Sequence, residues 1–124
     1  MLTTTDRTPA QWARFLAEKV MGWKHAPEPC IYRRPNGASV YIGEKYLADL
    51  HGGQYWSPWE NITDAREVLE RLVEIIGTPN ANIYQTAVGW GVSLGRYKVD
   101  VPGPHKGPAI CLLAKKIINA TKKL

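Results

Sequence analysis

The stretch VDVPGPHKGPAICLLAKK, residues 99–116, changes from the pattern of a strand to the pattern of a helix. Its first residues alternate between apolar and polar as in a β-strand, and the Pro-Gly-Pro run at 102–104 ends that alternation. After Gly107-Pro108 the apolar residues recur at helical spacing, at Ile110, Leu113, Ala114 and Ile117. Because a strand leads directly into an amphipathic helix, the stretch predicts a domain that contains both kinds of element.

Two further helices are predicted earlier in the chain. The first runs from Thr8 to about Met21, with Thr8 as its N-cap and Gln11 completing a capping box. The second has Asn61 as its N-cap, a buried apolar stripe, and Gly77 at its end. These capping residues fix where the two helices begin more firmly than helix propensity alone.

Strands are predicted between the helices. CIYRR at 30–34 and SVYIG at 39–43 flank Pro35-Asn36-Gly37, a sequence typical of a hairpin turn. Residues 44–56 leave two alternatives open, a short helix and an irregular loop.

Two or three more strands are predicted between residues 82 and 101. The phase of the apolar alternation changes at Gly95-Arg96, which predicts a β-bulge.

The element order is therefore helix, strands, helix, strands, helix. It predicts an α+β fold, a three-layer α-β-α sandwich with a small, mostly antiparallel sheet and three main helices. With 124 residues, of which 44% are hydrophobic, the chain suits one domain over residues 1–124.

The formal net charge of +5 is unevenly distributed. Residues 96–124 hold seven Lys and Arg against one Asp, so the basic excess lies in the last quarter of the chain. This favours an anionic partner. The sequence contains no apolar run of about 20 residues that would span a bilayer, and its cysteine usage favours the cytoplasm.

The loop before the last helix is a candidate phosphate site. His105, Lys106 and Gly107 precede backbone N–H groups that attract anions at a helix N-terminus. The loop lacks the GxxxxGK[ST] spacing of nucleotide-hydrolysing proteins, so we expect binding rather than hydrolysis. The alternative is a solvated loop in which Gly and Pro only shape a turn.

A second candidate group combines arginines with aromatic residues. Arg33 and Arg34 suit bidentate phosphate contacts, and the YWSPW run at 55–59 supplies Trp56 and Trp59 for stacking. We expect one of these tryptophans to lie in the core. The other lines either a pocket or a subunit contact, or is itself structural.

The residues offer little for catalysis or metal binding. The three histidines are far apart and show no metal-ligand spacing, and no paired carboxylates stand out. Cys30 and Cys111 are conceivable nucleophiles, although Cys111 suits a small buried apolar position. We therefore expect a protein that is not an enzyme and that needs no cofactor or metal.

Three stretches together resemble one known family. LAEKVMGW at 16–23, NITDAREVLERL at 61–72 and GPAICLLA at 107–114, with Trp90 between the last two, are similar to the phage ABA-sandwich domain. The resemblance implies the layered α-β-α fold and an origin in a phage or prophage, and hence the cytoplasm of a host cell. It supplies no catalytic residues.

Together these features predict a phage-encoded binding protein that sequesters a phosphate-bearing small ligand. A nucleotide immune signal is the ligand that the phage resemblance suggests, which would make the protein an anti-defence sponge. The same reasoning predicts a homo-oligomer, because a small sheet leaves edges exposed.

Two other functions are kept open. One is a DNA- or RNA-binding accessory protein that uses the lysine face of the last helix, formed by Lys115, Lys116, Asn119, Lys122 and Lys123. The other is a module that binds a host protein through exposed aromatic side chains.

Overall fold

The computed structural model describes residues 7–28, 30–78 and 81–121. Within these ranges the chain forms four helices and seven strands, and the strands make two sheets. The predicted α+β class is confirmed. The strands expected in one small sheet form two sheets, and a short fourth helix lies in the stretch 44–56 that the sequence left open. The chain divides into two compact units, Met1–Ser57 and Pro58–Leu124. The single-domain organisation and the three-layer order stay predictions.

The first unit contains two helices and a four-stranded sheet. Its elements are α1 (Pro9–Lys19), β1 (Lys24–His25), β2 (Ile31–Arg33), β3 (Ser39–Tyr41), α2 (Lys45–His51) and β4 (Gln54–Tyr55). The strands lie in the order β1-β2-β3-β4. The first two pairs are antiparallel, and β3 pairs with β4 in parallel.

Helix α1 begins where the capping box predicts. The Thr8 hydroxyl accepts the Gln11 N–H, and the Gln11 side chain accepts the Thr8 N–H in return. Two of the N–H groups that a helix start leaves unpaired are thereby satisfied. One face of α1 is buried, at Trp12, Ala13, Leu16 and Ala17.

The predicted hairpin is also confirmed. The Arg34 carbonyl accepts the Gly37 N–H at 2.9 Å, which closes a β-turn between β2 and β3. Pro35 fits the second position of that turn, and Gly37 has a φ of 90° that favours glycine. The turn is the local feature that places Arg33 and Arg34 at the end of the sheet.

Residues 44–56 form both a helix and a strand. Helix α2 ends at Gly52, which is in the left-handed conformation, and β4 then pairs with β3. The sequence did not predict β4, because a strand of two residues is too short to show an alternating pattern.

The second unit contains two helices and a three-stranded sheet. Its elements are α3 (Ile62–Ile76), β5 (Ala81–Gln85), β6 (Gly89–Leu94), β7 (Tyr97–Pro102) and α4 (Gly107–Thr121). The strands form an antiparallel meander in the order β5-β6-β7. Helix α4 packs against β6, β7 and α3.

The helix boundaries in this unit also agree with the sequence. The Asn61 side chain accepts the N–H groups of Thr63 and Asp64, and Gly77 ends α3 in the left-handed conformation. The predicted apolar face of α4 is fully buried, at Ile110, Leu113, Ala114 and Ile117.

The prediction of a β-bulge at Gly95-Arg96 is wrong. The structure has a two-residue hairpin turn there, with Leu94 directly opposite Tyr97 across the two strands. Residues opposite each other share a face of the sheet, so a turn of two residues reverses the alternation along the sequence. Gly95, with a φ of 59°, is the first central residue of the turn, where a type II′ turn requires glycine.

Candidate functional site

A cavity lined by cationic side chains lies at the turn end of the β2–β3 hairpin. It has a volume of about 450 Å³ and is lined by Gly22, Lys24, Arg33, Arg34, Pro35 and Gly37. We call it the basic cavity. Of the lining residues that the structure describes, three are cations and none is a carboxylate.

Lys24 and Arg33 face each other across the antiparallel pair β1–β2. Their Cα atoms are register partners, and both side chains are exposed. Neither has an ion-pair partner among residues 7–28, 30–78 and 81–121. Like charges in directly opposite positions destabilise an antiparallel pair. The sheet therefore carries a local repulsion that an anion between the two side chains would relieve.

Arg34 is held in place by its contacts with two neighbouring side chains. Its guanidinium carbon lies 4.4 Å from the centroid of the Trp23 ring, and Nη2 donates a hydrogen bond to Gln54 Oε1 at 3.1 Å. Trp23 packs in turn against Trp56, with ring centroids 4.7 Å apart. An arginine fixed by such contacts loses less rotamer freedom when it binds a ligand.

The chemistry available in the basic cavity is anion binding. Guanidinium and ammonium groups donate short, charge-assisted hydrogen bonds to phosphate oxygens, and arginine makes them in pairs. Among residues 7–28, 30–78 and 81–121, the side chains that line the cavity include no carboxylate, imidazole, thiol or hydroxyl. Three cationic donors around one cavity are therefore suited to contact the oxygens of one anionic group.

The sequence identified only part of this cavity. Arg33 and Arg34 were predicted as binding residues, whereas Lys24 and the supporting pair Trp23 and Gln54 were not. Strand β1 is two residues long, so no alternating pattern marks Lys24 as the partner of Arg33. Only the strand register reveals that the two are neighbours.

Trp56 belongs to the core of the first unit. Its side chain is fully buried beside Trp23. A ring with no exposed surface offers no face on which a ligand stacks, so we assign Trp56 a structural role in place of the predicted contact with a ligand. The expectation that one tryptophan of the YWSPW run is a core residue agrees with this position.

The other predicted residues lie in the second unit. Among them, close backbone packing explains why residue 107 is a glycine. A Cβ atom at this position would lie 2.4 Å from the Pro58 carbonyl oxygen and 2.6 Å from that of Trp59. Only glycine permits such a close approach of backbone. The two oxygens also carry partial negative charge, which opposes an anion at this point. Trp59 itself is half-buried.

Lys106 contacts an aromatic ring of its own unit. Its ammonium group lies 4.6 Å from the centroid of the Trp90 ring, and Trp90 Nε1 donates a hydrogen bond to the Pro104 carbonyl at 3.1 Å. His105 is exposed.

The N-terminus of α4 has few amides to offer an anion. Pro108 has no N–H, and the Ala109 N–H donates to the Lys106 carbonyl at 3.1 Å. A ligand-binding role for residues 105–107 and for Trp59 stays a prediction.

The lysine face of α4 is described in part. Lys116 donates a hydrogen bond to the Lys98 carbonyl at 3.0 Å, Lys115 is half-buried and Asn119 is exposed. Lys122 and Lys123 lie outside the described residues.

The two cysteines differ in environment. Cys111 is completely buried in α4, and burial raises the pKa of its thiol well above the usual range. A thiol that stays protonated is a poor nucleophile, so Cys111 acts as a small apolar residue. Cys30 is half-buried.

Neither a membrane span nor a metal site is found in the described part of the chain. None of its helices has the length and the apolar character needed to cross a bilayer. No three His, Cys, Asp or Glu side chains of residues 7–28, 30–78 and 81–121 gather as potential metal ligands.

Comparisons with protein-family models, with curated proteins and with solved structures gave no significant match. The resemblance to the phage ABA-sandwich domain thus stays a prediction made from the three quoted stretches.

Proposed function

We propose that this protein binds a phosphate-bearing small molecule in the basic cavity, without transforming it. The observation that carries the proposal is the pairing of Lys24 with Arg33 across β1 and β2, with Arg34 lining the same cavity. A sheet that keeps two like charges opposite each other loses stability, and a bound anion offsets this loss.

The size of the cavity and the strength of its contacts support a small ligand. A volume of about 450 Å³ lies in the range of small-molecule sites. Hydrogen bonds to charged groups contribute about 1.5–3 kcal/mol each. Loss of one such contact therefore corresponds to about a tenfold to hundredfold weaker affinity.

Nucleotides are the first ligands to test. They carry phosphate groups, and the predicted phage origin makes a nucleotide signal of host defence the natural target of a sequestering protein. This biological role, the host cytoplasm and a homo-oligomeric state are parts of the proposal that the resemblance and the composition suggest.

Calorimetric titration with ATP tests the proposal. We expect wild-type protein to bind ATP, and Arg33→Gln to bind it about tenfold or more weakly, because one charged contact is lost. Arg66→Gln is the matched control, since Arg66 is an exposed arginine on α3 that does not line the basic cavity. We expect this control to bind within about twofold of the wild-type affinity, because only long-range, screened charge is removed.

Three results would count against the proposal. The first is the absence of ATP binding by the wild-type protein. The second is an equal loss in Arg33→Gln and Arg66→Gln, which would indicate a general effect of net charge. The third is tighter binding of a single-stranded DNA oligonucleotide than of ATP, which would favour the nucleic-acid alternative.

A further inference from the structure

A second cavity of the first unit combines carboxylates with aromatic rings. It has a volume of about 360 Å³, and its lining includes two carboxylates, Glu28 and Glu44, and three rings, those of Tyr41, Tyr46 and His51. We call it the acidic cavity. It shares no lining residue with the basic cavity, so the two are separate sites on the same unit.

Tyr41 and His51 form a wall of the acidic cavity. Their rings are nearly parallel, with centroids 6.2 Å apart and an angle of 10° between the planes. The backbone of Gly53 lies so close to Tyr41 that a Cβ atom there would overlap carbon atoms of the ring. Tyr41 is also opposite Ile31 across β2 and β3. An aromatic ring held by such contacts loses little freedom when a ligand packs against it.

Helix α2 brings one of the carboxylates to the same side as this wall. Glu44, Leu47 and His51 all line the acidic cavity, and their spacing of three and seven residues places them on one side of the helix. Glu44 is the N-cap of α2, yet its side chain makes no capping hydrogen bond. Its carboxylate is therefore not engaged by the helix amides.

The local charge of the acidic cavity is opposite to that of the whole chain. The formal net charge is +5, whereas the lining contains the carboxylates of Glu28 and Glu44. Lys45 follows Glu44 in the sequence, but its ammonium group lies 3.3 Å from Asp49 Oδ2. Neither Glu28 nor Glu44 has an ion-pair partner in the part of the chain that the structure describes. A cation in the cavity would supply a counter-charge to both.

The lining suits an organic cation better than a metal ion. Cys30 and His51 line the cavity together with the two carboxylates, yet no three such side chains among the described residues converge as metal ligands. Tyrosine rings attract an alkylammonium group by their negative faces, and Ile31 and Leu47 offer apolar contacts to its carbon atoms. The volume also lies in the range of small-molecule sites. We infer that the acidic cavity binds a small organic ammonium ion.

Titration with choline and with 3,3-dimethyl-1-butanol tests for this site. The two compounds have nearly the same shape, but the alcohol has a neutral carbon atom in place of the charged nitrogen. Amide resonances of ¹⁵N-labelled protein report both the affinity and the residues approached. We expect choline to bind at least about tenfold more tightly than the alcohol, with the largest shifts at Tyr41, Glu44 and Leu47.

Three results of this titration would overturn the inference. The first is the absence of choline binding. The second is equal affinity for the alcohol, which would indicate an apolar site with no preference for charge. The third is a set of choline-induced shifts confined to residues outside the acidic cavity.

Glu44→Gln tests the contribution of a carboxylate. We expect it to bind choline about fivefold more weakly, because the attraction between two opposite charges at close range is lost. Glu70→Gln is the matched control, since Glu70 is an exposed carboxylate on α3 that does not line the acidic cavity. It should bind within about twofold of the wild-type affinity. Circular dichroism checks that both variants keep the fold, and an equal loss in both would contradict a local carboxylate contact.

Cys30 provides an independent readout of occupancy. Its half-buried thiol lines the acidic cavity, whereas Cys111, the other cysteine of the chain, is completely buried. Alkylation of the folded protein by iodoacetamide therefore reports on Cys30. We expect saturating choline to slow this reaction severalfold, and sodium chloride at the same concentration to leave the rate unchanged. An unchanged rate with choline would contradict binding in this cavity and would leave the proposal of phosphate binding in the basic cavity untouched.

Discussion

Replacement of Arg33 by Gln should make the ligand-free protein more stable while it weakens phosphate binding. Arg33 lies directly opposite Lys24, and neither cation has an ion-pair partner among the described residues. Gln keeps much of the aliphatic stem of Arg33 but removes its charge. The substitution therefore relieves the repulsion between β1 and β2 with little loss of packing.

The expected gain is modest and depends on salt. Cross-strand pairs change stability by about 0.2–1 kcal/mol, with like charges on the unfavourable side. Both side chains are exposed, so salt screens their interaction, over about 10 Å at 0.1 M and about 3 Å at 1 M ionic strength. The gain should be near the top of the range at low salt and close to zero at 1 M salt.

Urea unfolding of wild-type protein, Arg33→Gln and Arg66→Gln, at low and at high salt, measures this difference. The Arg66→Gln control removes the same charge from α3, where the neighbouring residues Glu67 and Glu70 are acidic, so it should not stabilise the protein. Lower stability of Arg33→Gln than of wild type at low salt would contradict the repulsion between Lys24 and Arg33. An equal gain in stability at both salt concentrations would also contradict it.

Three further predictions concern the second unit. Gly107→Ala should lower the free energy of unfolding, measured in urea, by about 1–3 kcal/mol, because the new Cβ would overlap the Pro58 and Trp59 carbonyl oxygens. Unchanged stability would contradict this packing. Lys106→Ala should lose about 0.5–1 kcal/mol of stability, because the contact with the Trp90 ring is lost. It should keep wild-type affinity for ATP, and a tenfold loss of affinity would place the loop in the binding site. Because burial raises the pKa of Cys111 above its ordinary 9.0, its thiol ionises only in the unfolded chain as the pH rises past that value. Stability should then fall with rising pH by at most about 1.4 kcal/mol per unit from this group, and an equally steep fall in Cys111→Ala would disprove its role.

Local signals in the sequence predicted the elements that have strong chemical boundaries. Thr8 with Gln11, and Asn61 with its acidic first turn, mark the helix starts because they satisfy specific backbone N–H groups. The Pro35-Asn36-Gly37 turn marks the hairpin for a similar reason, since only certain residues adopt its dihedral angles.

Features that depend on pairing between distant residues were not predictable in this way. The alternation around Gly95-Arg96 fits a bulge and a two-residue turn equally well, and only the register of β6 with β7 decides between them. The basic cavity also depends on the register of two paired strands. Arg33 and Arg34 are visible as a basic pair, whereas Lys24 becomes their neighbour only through the β1–β2 register. The burial of Trp56 likewise depends on its packing with Trp23.

The most direct test of the basic cavity locates the ligand. Amide resonances of ¹⁵N-labelled protein, followed by NMR during titration with inorganic triphosphate, report which residues the phosphate chain approaches. The account predicts the largest shifts at residues that line the basic cavity, Gly22, Lys24, Arg33, Arg34 and Gly37, with little change at Gly107 and Ala109. Largest shifts at the N-terminus of α4, with the amides of the basic cavity unchanged, would contradict it.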